Sequence, residues 1–170
     1  MGTLEYKVIN NFLEKENFYK FQEEIFNENN VPWYYRNSQI CESVNELDDV
    51  GYFSLCFFNN FYNDFNGFNY FLYKIYEKLE CKSLIQSRAN LYLKQKENKK
   101  LYFHTDYPFK CKTAIFYMNN NNGATILDEN KKIKIESIEN RMVVFDSQIR
   151  HSALVQSDTK RRICININYF

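Results

Sequence analysis

At 170 residues the chain has room for one well-buried domain and not two, and an apolar fraction of 45% beside a charged fraction of 25% excludes disordered and fibrous classes. A formal net charge of +1 supplies no field that would gather nucleic acid or an anionic membrane surface. No window reaches the ~18 uninterrupted apolar residues of a membrane span, and the N-terminus has no apolar stretch behind a basic start, so a soluble, cytoplasmic protein is expected.

In chain order, residues 6–9 predict a short strand and Asn10-Asn11 a turn or cap before a helix that begins near Glu14. Phe18, Phe21, Gln22 and Ile25 fall on one face of that helix, with Glu and Lys opposite, so it should cover a sheet. Residues 27–49 are irregular, broken by Pro32 and marked by the aromatic knot Trp33-Tyr34-Tyr35. A buried strand is expected at 51–58. The spacing of Phe61, Phe65, Phe68, Leu72, Ile75 and Leu79 predicts a helix over 61–79, its aromatic stripe reading as core packing. After Cys81 the pattern changes to two-residue alternation, with strands expected at 89–93, 101–104, 112–118, 124–127, 132–136, 142–146, 151–155 and 162–169. The Asn119-Asn120-Asn121-Asn122-Gly123 run reads as a hairpin-type turn. Helices first and strands after give an α+β class: a single domain over 1–170, with a helical buttress and short strands in 1–87 and a jelly-roll, or double-stranded β-helix, barrel in 88–170. Five Cys, at 41, 56, 81, 111 and 164, form no Cys-x-x-Cys pair and fit reduced thiols.

Only 2 His are present, and both fall in the strand-rich half. In His104-Thr105-Asp106 the imidazole and the carboxylate are two residues apart, which on an extended chain points both to one face. If His151 faces them across the barrel, two imidazoles and one carboxylate occupy one face of an octahedral ion and leave the other open. His-x-Asp by itself arises often by chance. The case is strengthened by the strand after Arg161-Arg162, where alternation places isoleucines on one face and Arg162, Cys164, Asn166 and Asn168 on the other. Unpaired buried polar groups cost roughly 1–3 kcal/mol each, so an inward polar face makes sense as the wall of a ligand cavity. A guanidinium there suits a carboxylate through two parallel hydrogen bonds.

Taken together, His104-Thr105-Asp106, Thr113-Ala114-Ile115-Phe116-Tyr117-Met118-Asn119, Gly123-Ala124-Thr125, Arg141-Met142-Val143-Val144-Phe145, His151 and the closing Arg162 strand resemble the catalytic core of the 2-oxoglutarate/Fe(II) dioxygenases, and within them the prolyl-hydroxylase-like branch. The resemblance covers the last half of the chain. It implies Fe(II) held by His104, Asp106 and His151, with 2-oxoglutarate and O2 as co-substrates. It also implies an arginine on the far carboxylate of 2-oxoglutarate and a phenol hydrogen bond to that carboxylate from Tyr117, which shares a strand face with Thr113 and Ile115. Arg162 is the anchor if the strand is regular, and Arg161 if a bulge opens it. Asn140 stands where the family commonly has Gly, and it tolerates a left-handed turn.

Asp106 stands where halogenating relatives have a small residue, which implies hydroxylation. No second Arg lies six residues after the anchor, which speaks against base repair and a nucleic-acid partner. The expected substrate is a small molecule or a peptidyl or free amino acid such as proline, acted on by a monomer or weak homodimer. The surplus of Phe, Tyr, Asn, Lys and Ile is that of an AT-rich genome, a phage or an AT-rich bacterium. The charged loop 94–100 is a candidate lid. The rival readings are a cupin-like module that binds a small molecule or metal without oxidising anything, and a hydrolytic zinc site, which would work without oxygen.

Overall fold

The computed structural model describes residues 5–27, 29, 31–37, 50–59 and 65–170. Its elements in chain order are β1 (Tyr6–Ile9), α1 (Lys15–Phe26), β2 (Tyr34–Arg36), β3 (Tyr52–Asn59), α2 (Asn69–Lys78), β4 (Leu84–Leu93), β5 (Lys99–Lys100), β6 (Lys112–Tyr117), β7 (Ala124–Leu127), β8 (Ile133–Glu136), β9 (Arg141–Asp146), β10 (His151–Val155) and β11 (Arg161–Tyr169). A seven-stranded sheet runs β1-β9-β6-β11-β4-β3-β2, and a four-stranded sheet runs β5-β10-β7-β8. Pairing is antiparallel throughout the described strands. Two antiparallel sheets beside two helices make the expected α+β jelly roll.

Alternation along the large sheet separates two cores. Ala89 and Leu91 of β4, Ala114 and Phe116 of β6, and Ile163, Ile165 and Ile167 of β11 point to the helices and meet Phe18, Phe21 and Ile25 of α1 and Phe71, Leu72 and Ile75 of α2. Their neighbours in sequence, Tyr92, Ile115, Tyr117 and Cys164, point into the barrel with Leu127, Phe145 and Val155. Each buried Phe, Leu or Ile side chain contributes roughly 1.5–3 kcal/mol, so the helix side holds the sheet rigid while the barrel side is free to carry polar groups.

Asn140 fastens the N-terminal segment to the barrel. Its backbone is left-handed (φ 56°), as its replacement of Gly anticipates. Its amide accepts from the Leu13 N–H at 2.8 Å and donates to the Leu13 carbonyl at 2.9 Å. A Gly there would keep the turn and lose both bonds.

Several expectations need correction. The second helix is Asn69–Lys78 and not 61–79, because Asn66 and Gly67 interrupt the helical stripe and leave Phe68 as its N-cap; residues 61–64 lie outside the described residues, as does most of 27–49. The strand expected at 101–104 is replaced by the two-residue β5 and an isolated bridge between His104 and His151. The Asn-rich run is a turn, but it crosses from the large sheet (β6) to the small one (β7) and does not close a hairpin. β1, β2 and β3 are members of the large sheet, and β4 starts at Leu84. Among the described residues no disulfide joins Cys56, Cys81, Cys111 and Cys164; Cys41 lies outside them. No described helix is long and apolar enough to cross a membrane.

Candidate metal and co-substrate site

An isolated bridge from His104 to the start of β10 brings the imidazoles together. His104 and His151 exchange backbone hydrogen bonds, each N–H donating to the other's carbonyl at 2.9 Å, which sets their ring centroids 4.4 Å apart. Asp106, two residues past His104, turns toward both: its Oδ1 is 3.9 Å from Nε2 of His104 and 3.6 Å from Nε2 of His151. One ligand atom from each of the three lies within 4.8 Å of the others.

Each ring nitrogen facing away from this point is occupied. Nδ1 of His104 is 3.3 Å from the Tyr102 carbonyl and Nδ1 of His151 is 3.1 Å from the Ile149 carbonyl. A carbonyl only accepts, so Nδ1 carries the proton in each and Nε2 is left with its lone pair directed at Asp106. Nε2 of His151 is buried and has no hydrogen-bond partner. An orphaned imidazole nitrogen beside a second imidazole and a carboxylate oxygen fits a divalent cation, whose octahedral ligands at about 2.1 Å would stand about 3 Å apart.

Asp106 is tied to the large sheet. Its Oδ2 accepts from the Thr113 hydroxyl at 2.7 Å and from the Asn168 amide at 2.8 Å, and Asn168 also donates to the Thr113 hydroxyl at 2.9 Å. Burial would raise this carboxyl, but the facing His151, the two hydrogen bonds and His104 outweigh it and hold Asp106 below the usual carboxylate range. Burial and the neighbouring His151 push His104 down to about 4, against the smaller pull of Asp106, so this imidazole is neutral at pH 7. A carboxylate and a neutral imidazole are the forms that bind metal.

The two histidines line a narrow, tightly closed cavity together with Tyr92, Thr125, Arg162 and Arg88. Arg162 is 1% exposed. It lies between the rings of Tyr92 and Tyr117, 5.4 and 5.8 Å from their centroids. Its Nη2 makes one long hydrogen bond, 3.4 Å, to the Ala124 carbonyl, while Nε and Nη1 are buried without partners. Gly123 is required here by close approach, because a Cβ would stand 3.0 Å from Cδ of Arg162 and 2.8 Å from the Leu154 carbonyl.

The strand opens without a bulge, since Arg161 and Arg162 pair in register with Leu93 and Tyr92. Arg161 therefore faces the helices, over the Phe26 ring at 5.2 Å. Tyr117 is fully buried and donates its phenol hydrogen to the Thr125 hydroxyl at 2.8 Å. Thr113 sits behind Asp106, in contact with the carboxylate, and is not among the residues that line the cavity with Arg162. Loop 94–100 is stitched down by Asn98, whose amide donates to the Asn122 side chain at 3.0 Å and to the Val155 carbonyl at 3.1 Å.

Sequence reading gave no role to Thr125, Asn168 or Arg88. Strand alternation already set Asn168 on the inward face. Arg88 precedes the strand expected at 89–93, so no face was assigned to it.

No protein-family model matches the sequence, and no curated protein is significantly similar to it. The fold is nevertheless shared with solved structures. A prolyl hydroxylase from Trichoplax adhaerens, solved with a hypoxia inducible factor oxygen degradation domain peptide, superposes with a TM-score of 0.71 at 20% identity over 99% of this chain and 84% of its own. A prolyl-4-hydroxylase from Pseudomonas putida gives 0.62 at 13% identity over 98% and 92%. The viral collagen prolyl hydroxylase of Paramecium Bursaria Chlorella virus-1, solved with 2-oxoglutarate, gives 0.59 at 15% identity over 96% and 94%. The chain has the fold of the 2-oxoglutarate/Fe(II) oxygenases, prolyl hydroxylases among them, as the resemblance in its sequence implies.

Proposed function

We propose that the protein is an Fe(II)- and 2-oxoglutarate-dependent dioxygenase that hydroxylates a C–H bond, with His104, Asp106 and His151 holding the metal and Arg162 the far carboxylate of 2-oxoglutarate. The observation that carries the reading is the buried Arg162, whose Nε and Nη1 lack partners inside the cavity that the two histidines line. A desolvated guanidinium is costly unless an anion meets it, and a metal site without a carboxylate co-substrate has no use for one. This favours an oxygenase over a cupin-like binding module or a hydrolytic zinc site.

When bound, Fe(II) with 2-oxoglutarate and O2 supplies the oxidising chemistry, converting the co-substrate to succinate and CO2 and adding one oxygen atom to the substrate. The chain positions and protects. The backbone carbonyls of Tyr102 and Ile149 keep both Nε2 atoms unprotonated. Thr113 and Asn168 leave Oδ1 of Asp106 free for the ion. Tyr117, now bonded to Thr125, lies within reach of a carboxylate seated on Arg162, and the rings of Tyr92 and Tyr117 exclude water from that ion pair, which strengthens it.

The likeness to prolyl hydroxylases supports a peptidyl or free amino acid as substrate. The test is direct: Mn(II) and 2-oxoglutarate together, without oxygen, should raise the Tm as native-state ligands must, and Fe(II) should support succinate formation only with O2 present. Turnover that continues without oxygen would replace this reading with the hydrolytic one.

A further inference from the structure

The cavity holds a second arginine that 2-oxoglutarate does not account for. Arg88 lies on the inward face of β4 with Asn90 and Tyr92. In the sheet register Arg162 pairs with Tyr92 and Asn166 with Arg88, so the two arginines are four strand positions apart, roughly 13 Å of backbone. Asn168, which grips Asp106, lies beyond Asn166 on β11. Arg88 therefore stands at the metal end of the cavity and Arg162 at the other. A five-carbon dicarboxylate spans about two residues of extended chain, roughly 7 Å, so a molecule chelating the metal and reaching Arg162 has its length used up.

Arg88 is half-buried. Its Nε is buried without a hydrogen-bond partner, and among the described residues no carboxylate forms an ion pair with it, Asp106 being engaged with the two histidines, Thr113 and Asn168. Charge accounting agrees: two guanidiniums face one carboxylate in this cavity, a divalent ion adds two positive charges, and 2-oxoglutarate removes two. One positive charge is left, at Arg88. An unpaired cation at the metal end matches an anionic group on a second ligand.

Resting on the Fe(II)/2-oxoglutarate reading, we infer that Arg88 binds the carboxylate of the primary substrate, so that the substrate carries a free carboxylate beside its reacting carbon, as a free α-amino or imino acid does and a residue inside a peptide does not. The protein loaded with Mn(II) and 2-oxoglutarate without oxygen is titrated with each of the twenty free L-amino acids, and with the carboxamide of any that binds. At least one amino acid should raise the Tm, and its carboxamide should bind at least tenfold more weakly. Arg88→Met should lower affinity for that amino acid at least tenfold while changing the affinity for 2-oxoglutarate by less than about twofold. Arg88→Lys, which keeps the charge and loses the fork, should fall between and serves as the test if the Met variant does not fold.

Equal binding of acid and carboxamide, or no response to any of the twenty, overturns the assignment. A loss of 2-oxoglutarate affinity in the Arg88 variants overturns it too, by placing Arg88 on the co-substrate. Failure of the parent reading is distinguishable: the wild-type Tm would not respond to Mn(II) and 2-oxoglutarate before any amino acid is added.

Discussion

The two faces of the large sheet are made by the same strands and obey opposite rules. Toward the helices, Ile163, Ile165 and Ile167 of β11 and Phe116 of β6 are fully buried among apolar side chains. One residue away on the same strands, Arg162, Asn168 and Thr113 are just as buried and polar. The helix face is almost wholly apolar, the buried Ser87 hydroxyl opposite Ile167 being a polar atom within it. On the barrel face Asp106 is satisfied by its neighbours, whereas Nε2 of His151 and two guanidinium nitrogens of Arg162 are not. The unpaired atoms on the barrel face include those of ionisable side chains, His151 and Arg162, whereas the unpaired atom on the helix face is a neutral hydroxyl, Ser87 Oγ.

Substitutions should divide along that line. His104→Ala or Asp106→Ala should abolish coupled succinate formation and Mn(II) binding, measured by product assay and metal titration, while leaving the protein folded. Metal-dependent turnover that persists in either variant removes the ligand assignment. Arg162→Met should weaken 2-oxoglutarate binding about a hundredfold or more, since it removes charge-assisted hydrogen bonds of about 1.5–3 kcal/mol each. The ligand-free variant should melt no lower than wild type, because the substitution also relieves an unpaired buried charge. A large drop in its Tm would make Arg162 structural.

Ile165→Ala, on the other face, should show the converse. It should cost about 2–5 kcal/mol of stability in urea unfolding with metal affinity per folded molecule unchanged. Thr113→Val keeps the shape and removes one bond to Asp106, so Mn(II) affinity should fall about 10–100-fold. A further effect is in pH. His104 is held at about 4 against an ordinary 6.5, so between these values the unfolded chain binds a proton that the folded one refuses. The stability of the metal-free protein should therefore fall as pH drops from 6.5 toward 4. His104→Gln should flatten that part of the Tm profile.

Which residues were legible follows from how local their signals are. His104-x-Asp106 and the alternation of 162–169 are short-range patterns, and the structure places those side chains together as the patterns imply. Arg161 and Arg162 could not be separated from sequence, because one bulge would exchange them; the register with Leu93 and Tyr92 separates them. The helix expected over 61–79 was overextended because a stripe of aromatics does not register the break at Asn66-Gly67. Arg88 was missed for an equally local reason: the alternation is clear only from Ala89 onward, and Arg88 acquires a direction once β4 is seen to begin at Leu84.

The sequence by itself determined the composition of each face, since a period of two assigns every strand residue to one side or the other without regard to its partners. It also determined the donor types available for a metal, with only two imidazoles to choose from. The tertiary structure alone decided that these donors meet. His104 and His151 are joined by a single backbone bridge between distant segments, and Asp106 is aimed by Thr113 and Asn168 from two further strands. Contacts of that kind depend on strand order and register, which are set by the packing of the whole sheet and leave no trace in any short stretch of the chain.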